Sequence, residues 1–176
     1  YKMNDFEPYI YKLTDFGKRW MRLDSDLPDD NFVRVVRADP EREGLLYAGS
    51  EGGLFVSFDD GDHWQSLNMN FPTVPITDLR VRQNTLIAAT QGRGFWALDE
   101  LTVIRQLNVN LSEKRLHVFK PKPSSLMRWG GRTAANEGKN PPSGVVFSYF
   151  LAEEFEGPLS IDIRDTDGTV VRTYSS

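Results

Sequence analysis

This sequence predicts an all-β fold built from repeated small sheets, and three observations predict it. Short apolar stretches of strand length alternate with turns rich in Gly, Asp and Pro. One Asp, Gly and Trp spacing occurs twice, 44 residues apart. Apolar residues make up 39% and aromatic residues 12% of the 176 residues, which is typical of a globular, β-rich protein.

Residues 54–64 predict a hairpin with a tight turn. An apolar run ends at Asp59, and the strand pattern resumes at Trp64. Gly61 can adopt the positive φ that such a turn requires, and the Asp59 carboxylate can accept the backbone N–H groups left free across it. Trp64 then offers a large apolar face for packing against a neighbouring sheet.

The earlier copy of this spacing consists of Asp15, Gly17 and Trp20. The register extends beyond the motif, because three later pairs are also 44 residues apart: Leu23 and Leu67, Pro28 and Pro72, and Phe32 and Ile76. After residues 38–44, which form a longer loop than their counterpart, the expected offset becomes 40. The pairs at that offset are Leu46 and Leu86, Ala48 and Ala88, Gly52 and Gly92, Phe55 and Phe95, and Asp59 and Asp99. A fixed period of this length predicts a repeat architecture in which each unit is a small sheet.

The pattern Ser57-x-Asp59-x-Gly61-x-x-Trp64 resembles the Asp-box, also called the bacterial neuraminidase repeat. That motif occurs in sialidases, xyloglucanase-type glycosidases and sortilin-like receptors. The resemblance implies a β-propeller and gives the motif a structural role remote from the active face. The implied structural residues are Asp15, Gly17, Trp20, Ser57, Asp59, Gly61 and Trp64. In the first copy Leu13 stands where Ser57 stands in the second, so one side-chain hydrogen bond to the turn should be missing there.

On this basis residues 1–107 are expected to form about two and a half four-stranded blades at the C-terminal end of a propeller. The first unit would hold only the third and fourth strands of its blade. Its open edge would therefore need cover from the remaining blades or from another chain. The expected strands are 9–13 and 20–23, then 32–37, 45–49, 54–58 and 64–67, then 77–82, 85–90, 95–98 and 103–107.

Residues 108–143 are predicted to be a linker with one short strand at 116–119, because Lys, Pro, Gly and Ser dominate this stretch. Strand patterns return at 144–151, 159–163 and 169–174, with a hairpin turn at 165–168. This part resembles the first strands of immunoglobulin-like sandwiches that follow propellers in secreted bacterial proteins, including the flagellar hook-capping type. Three strands cannot complete a sandwich, so we expect residues 144–176 to be a truncated domain.

Several classes of function are disfavoured by the sequence. A net charge of −4 without a basic, aromatic-rich run argues against nucleic-acid binding, and no apolar stretch is long enough for a membrane span. The chain has no Cys, which excludes disulfides and thiolate sites. Asp59, Asp60 and Asp62 lack the later Glu of a calcium loop, and His63 and His117 are isolated. We expect neither a metal nor a cofactor.

The candidate binding residues are Glu51, Gln91 and Arg93, in the hairpins that follow the second strands of the two fuller units. Glu51 could serve glycoside chemistry or bind sugar hydroxyls, and Arg93 could bind an anion. The alternative is that the glycines serve the turns while these side chains are simply solvated.

Three functions follow from the resemblance. The first is a binding or scaffold segment of a larger secreted or periplasmic Asp-box protein, without a complete active site. The second is the substrate face of a glycoside hydrolase, and the third is a sortilin-like propeller that binds peptides or proteins. Carbohydrate and peptide or protein ligands both remain open.

Overall fold

A computed structural model describes residues 3–111, 113–124, 144–152 and 157–175. Within these ranges the predicted all-β class is confirmed. The strands form several small antiparallel sheets, and none of these sheets is closed. No helix in the described ranges is long and apolar enough to cross a membrane. Most of the predicted linker, residues 125–143, lies outside the described residues.

The first nine strands form three antiparallel sheets in chain order. A two-stranded sheet is followed by a four-stranded sheet and then by a three-stranded sheet, and in each sheet neighbours in sequence are neighbours in space. The strands are β1 Tyr11–Thr14 and β2 Arg19–Arg22, then β3 Val33–Ala38, β4 Leu46–Ser50, β5 Gly53–Ser57 and β6 Gln65–Ser66, then β7 Ile76–Arg82, β8 Thr85–Thr90 and β9 Phe95–Leu98.

The predicted 44-residue repeat is visible in the strand pairing. The Leu23 amide donates to the Ile10 carbonyl over 2.8 Å, and the Leu67 amide donates to the Leu54 carbonyl over the same distance. The β1–β2 hairpin thus repeats the pairing of β5 with β6. The β3–β4 and β7–β8 ladders also share a register shift, between Val33 and Val35 and between Ile76 and Asp78. The same backbone irregularity in both sheets indicates a common plan.

The strand pairing corrects the predicted alignments at two places. Val33 pairs with Ser50 as Ile76 pairs with Thr90, so Val33 and not Phe32 is the counterpart of Ile76. Ala48 pairs with Phe55, whereas Ala88 pairs with Trp96. Trp96, rather than Phe95, is therefore the counterpart of Phe55. By the same shift Glu100, rather than Asp99, is the counterpart of Asp59. The reason is that the hairpin between β8 and β9 is one residue longer than the hairpin between β4 and β5.

The predicted strand at residues 103–107 is wrong, because the chain forms helix α1, Leu101–Gln106, at this place. The Glu100 carboxylate accepts the Thr102 amide and caps the first turn of the helix. Leu101 and Ile104 are three residues apart, so they lie on one face of the helix, and both are buried. Because the period of these apolar residues fits a helix, α1 can cover the core where a fourth strand was expected.

Two hydrophobic cores hold the three sheets together. The first hairpin packs on the four-stranded sheet through Ile10 and Leu27, which meet Phe55 and Trp64. The opposite face of the four-stranded sheet packs on the third sheet and on α1. This second core contains Val35, Leu45, Tyr47, Leu54, Val56, Ile76, Leu79, Leu86, Ala88, Leu101 and Ile104. The four-stranded sheet is thus the central sheet, and each of its faces is covered by a neighbouring sheet.

In its described residues the C-terminal part contains two antiparallel sheets of two strands each. In the first, β10 Leu116–Val118 pairs with β11 Tyr149–Leu151, and in the second, β12 Ser160–Arg164 pairs with β13 Val170–Ser175. The predicted turn at 165–168 is present. Gly168 has φ +83°, and the Asp165 carboxylate accepts the amides of Asp167 and Thr169. The short strand predicted within the linker is therefore paired with a strand from the region after it.

Candidate functional site

The turn between β5 and β6 is held by a small hydrogen-bond network. The Ser57 hydroxyl donates to the Asp59 carboxylate over 2.8 Å and accepts the Gly61 amide over 2.9 Å. The same carboxylate accepts the backbone amide and a ring nitrogen of His63, at 2.9 and 2.8 Å. Gly61 has φ +98°, as the turn requires. The predicted roles of Asp59 and Gly61 in this turn are therefore present.

Electrostatics reinforce the contact between Asp59 and His63. Burial alone would raise the pKa of Asp59, but the hydrogen bonds from His63 and Ser57 outweigh burial and lower it. The hydrogen bond to Asp59, followed by its charge, raises the pKa of His63. Both shifts favour the ion pair, and His63 is the partner that the sequence did not reveal.

Trp64 connects this turn to the preceding β1–β2 hairpin by packing and by a hydrogen bond. Its side chain is buried, and the indole Nε1 donates to the Leu23 carbonyl over 2.7 Å. An ion pair between Lys12 and Asp60 joins the same two elements. The turn is therefore a structural joint, in which a buried polar group is satisfied across two sheets.

The first copy of the motif forms different contacts. Asp15 begins a short 3-10 turn with φ +52°, and its carboxylate lies 3.3 Å from the Arg19 guanidinium. The Trp20 indole donates to the Gly17 carbonyl, and 65% of Trp20 is exposed. Leu13 cannot supply the hydroxyl that Ser57 supplies in the second copy. The same spacing of Asp, Gly and Trp therefore does not produce the same hydrogen-bond network in the first copy.

Glu51 lies in the hairpin between β4 and β5 and contacts Arg34. The Arg34 Nε and Nη2 atoms donate to one Glu51 carboxylate oxygen, at 3.0 and 2.5 Å. The guanidinium also lies over the Phe32 ring, 4.8 Å from its centroid. The Glu51 side chain is 39% exposed. Glu51 therefore takes part in an ion pair at the surface and is not a solitary solvated carboxylate.

Gln91 and Arg93 lie in the corresponding hairpin between β8 and β9. The Gln91 amide donates to the Pro75 carbonyl, as the Glu51 amide donates to the Phe32 carbonyl. Both Gln91 and Arg93 are exposed. No described residue forms a hydrogen bond or an ion pair with the head group of either side chain. The arginine that binds Glu51 is Arg34 and not Arg93.

A cleft of about 630 Å³ lies beside the Arg34 and Glu51 pair. In its wall the Tyr9 hydroxyl donates to the Asp5 carboxylate over 2.9 Å, which raises the pKa of Tyr9 to about 12. Glu7 accepts from Arg22 over 3.0 Å. The lining residues are Met3, Asp5, Glu7, Tyr9, Phe32, Val33, Arg34 and Thr77. Sequence reasoning missed most of this cleft, because its walls come from segments that share no motif.

Every carboxyl group in the described ranges with a displaced pKa is displaced downward, as in Asp5, Asp59, Glu100 and Asp162. A general acid for glycoside hydrolysis needs a pKa raised toward neutrality. Among the described residues, no three His, Asp, Glu or Cys side chains converge as metal ligands.

A scan against models of protein families finds none that matches this chain, and a search of curated proteins finds no match.

Proposed function

We propose that residues 1–107 belong to an Asp-box repeat protein and form blades of a β-propeller. The turn built from Ser57, Asp59, Gly61 and Trp64 supports this proposal. The 44-residue repeat of strand pairing and the face-to-face order of three sheets support it further.

We also propose that the C-terminal part begins an immunoglobulin-like sandwich. Its two sheets border a cavity of about 420 Å³, whose lining is mostly apolar. Leu116 and Tyr149 come from one sheet, and Ile161 and Ile163 come from the other. Apolar side chains that point between two antiparallel sheets are the basis of sandwich packing.

The function that the geometry supports best is a binding or scaffold module without a complete active site. The observation that carries it is the cleft itself, where each carboxylate already has a hydrogen-bonding or ionic partner. In the lining Glu7 accepts from Arg22 and Asp5 accepts the Tyr9 hydroxyl, and beside the cleft Glu51 pairs with the lining residue Arg34. Carboxylates held in this way can orient a ligand, and the hydrogen bonds to Asp5 lower its pKa, whereas a general acid needs a raised pKa. By its resemblance to Asp-box proteins, we place the protein among secreted or periplasmic proteins.

A peptide or protein segment is the ligand class that this cleft favours. Met3 is 90% exposed, Phe6 is 44% exposed and Tyr9 is 43% exposed, so apolar surface borders the charged groups. Exposed apolar surface of this kind marks interaction sites for polypeptides. Gln91 and Arg93, exposed in the neighbouring hairpin, would add polar contacts to the ligand.

The test is selection of peptides from a phage-displayed library on the immobilised full chain, alongside a panel of aryl glycosides. We expect selected peptides whose binding weakens at least about tenfold in Tyr9→Ala and in Arg93→Ala. Tyr174→Ala, which removes an exposed tyrosine from β13, is the matched control. Glycoside turnover that Glu51→Gln abolishes would overturn the proposal in favour of a hydrolase, and absence of any selected peptide would also overturn it.

A further inference from the structure

A small cavity lies between the central sheet and the third sheet, beside β9. Its volume is about 60 Å³. Nine of the eleven lining residues are apolar, and six of these have counterparts at the other interface: Leu54, Leu67, Phe71, Leu86, Ala88 and Trp96. The three sheets meet at two interfaces. The first lies between the β1–β2 hairpin and the four-stranded sheet, and the second lies between the four-stranded sheet and the third sheet. Their comparison does not depend on the proposed function.

The cavity corresponds to the site that Trp64 fills at the first interface. Trp64 lies in a core with Ile10, Leu23, Leu27, Leu46, Ala48 and Phe55. Each of these six has its counterpart in the cavity wall. The pairs are Ile10 and Leu54, Leu23 and Leu67, Leu27 and Phe71, Leu46 and Leu86, Ala48 and Ala88, and Phe55 and Trp96.

Hydrogen bonds establish these correspondences. The Leu23 amide donates to Ile10 and the Leu67 amide donates to Leu54, as described above. The Leu27 amide donates to Asp24, and the Phe71 amide donates likewise to Asn68. Ala48 pairs with Phe55 as Ala88 pairs with Trp96, and Leu46 and Leu86 each lie two residues earlier in the same strands. The Leu67 carbonyl therefore lies where the Leu23 carbonyl accepts the Trp64 indole.

Within the described ranges no residue takes the place of Trp64 at this cavity, because α1 stands where the fourth strand was expected. No strand in the part of the chain that the structure describes pairs with the outer edge of β9. The Thr90 amide donates to the Gly94 carbonyl, so by antiparallel alternation the backbone groups of Phe95 and Ala97 point away from β8. In the described residues these outward groups have no backbone partner. Phe95 is 81% exposed, and Ala97 is also exposed.

We propose that the outer edge of β9 and the adjoining cavity form a binding site for an extended peptide strand. The strand adds antiparallel to β9, as β6 adds to β5, and one apolar side chain enters the cavity. Phe71 and Trp96 are larger than Leu27 and Phe55, so the remaining space suits a Leu-sized group rather than an indole. Backbone hydrogen bonds supply affinity, and the inserted side chain supplies selectivity.

The test uses the full chain and a synthetic peptide copied from residues 62–69 of this protein with Trp64→Leu. We expect saturable binding in fluorescence anisotropy and slower amide hydrogen exchange at Phe95 and Ala97. The same peptide with Trp64→Ser should bind at least about tenfold more weakly, because a hydroxymethyl group gains little from the apolar cavity.

Two protein variants test the cavity and the edge of β9 independently. Ala88→Leu fills the cavity and should weaken binding at least about tenfold, whereas Ala89→Leu, on the opposite face of β8, is the matched control and should not. Ala97→Pro removes an outward N–H without removing a β8–β9 hydrogen bond, so it should also weaken binding if Ala88→Leu fails to fold.

Three results would overturn the proposal. The first is equal affinity for the Leu and Ser peptides, and the second is unchanged exchange at Phe95 and Ala97. The third is unaltered binding to Ala97→Pro. Peptide capture that depends on Tyr9 would be unaffected by any of these results, so the two proposals fail separately.

Discussion

At the scale of single residues, two tryptophans with the same sequence neighbourhood have opposite surroundings. Trp64 is 4% exposed and donates to the carbonyl of another hairpin, whereas Trp20 is 65% exposed and donates to its own turn. The difference arises from the neighbours. Ile10, Leu23 and Leu27 cover Trp64, and no described residue covers Trp20 in the same way.

This contrast predicts unequal effects of the same substitution. Trp64→Ala should lower the free energy of unfolding by about 3–5 kcal/mol, because it leaves a cavity in a packed core. Trp20→Ala should lower it by less than about 1 kcal/mol, since it removes only a ring contact with Tyr11 and an exposed hydrogen bond to the Gly17 carbonyl. Urea denaturation of the two variants gives the comparison, and equal losses would contradict the packing described here.

The contact between Asp59 and His63 predicts a dependence of stability on pH. The pKa of His63 is raised in the folded protein. The stability that His63 contributes is therefore fully present below its unfolded-state pKa of about 6.5. The contribution is lost as pH rises through the folded-state pKa. The pKa of Asp59 is lowered, so its contribution is present above its unfolded-state pKa and is lost as pH falls through the folded-state pKa. Stability from this pair is therefore greatest in mildly acidic solution.

The measurement is an NMR titration of the His63 ring. We expect a midpoint above about 6.5 that Asp59→Asn shifts downward. The stability difference between the wild type and His63→Gln should shrink as pH rises past that midpoint. A midpoint that does not respond to Asp59→Asn would refute the pairing.

At the scale of elements, α1 and the loop between β3 and β4 stabilise one another. Arg105 of α1 donates to both carboxylate oxygens of Asp39 at 3.0 Å, and the Asp39 side chain is fully buried. In return, Arg42 donates to the Ile104 and Arg105 carbonyls at the end of the helix. The loop therefore caps the helix, and the helix neutralises the buried carboxylate of the loop.

Removal of Arg105, which pairs with a buried carboxylate, should lower the free energy of unfolding more than removal of an arginine whose partner is exposed. Arg105→Ala leaves Asp39 buried with only neutral hydrogen-bond donors beside it, so the expected loss is about 3 kcal/mol of unfolding free energy. Arg37→Ala is the control, because the Arg37 and Asp78 side chains are 46% and 62% exposed, and it should cost about 1 kcal/mol or less. Thermal and chemical denaturation would test the order of the two losses, and a reversed order would disprove this account.

At the scale of the whole molecule, the spacing between sheets is set by a glycine. A Cβ atom at Gly49 would lie 2.5 Å from Cγ2 of Ile76 in the third sheet and 2.9 Å from Cγ1 of Val35. No side chain larger than hydrogen fits there unless the neighbouring sheet moves. The face-to-face packing of β4 against β7 therefore depends on this position.

A double-mutant cycle tests that packing. Gly49→Ala should destabilise the protein by about 1–3 kcal/mol through overpacking. Combined with Ile76→Ala, it should cost less than the sum of the two single changes, with a coupling of at least about 0.5 kcal/mol. Strict additivity in chemical denaturation would show that the two sheets do not meet at these residues.

The sequence predicted the strands where the residue pattern is local. Alternating apolar residues placed β3, β4, β5, β7, β8 and β9 within one or two residues of their observed ends. It did not predict α1, because residues 103–107 also suit a strand and only the Glu100 cap and two buried residues favour the helix. It did not reveal the cleft, since Tyr9, Phe32 and Arg34 meet there without a common motif.

The sequence by itself determined the all-β class, the repeat of 44 residues and the turn chemistry of Asp59 and Gly61. These follow from local rules, because strand alternation, turn geometry and side-chain capping act between residues close in the chain. Only the tertiary structure decided which tryptophan is buried, which arginine neutralises Asp39 and which strand edge stays open. Those outcomes depend on contacts between residues far apart in the chain, and such contacts form only when separate sheets pack against one another.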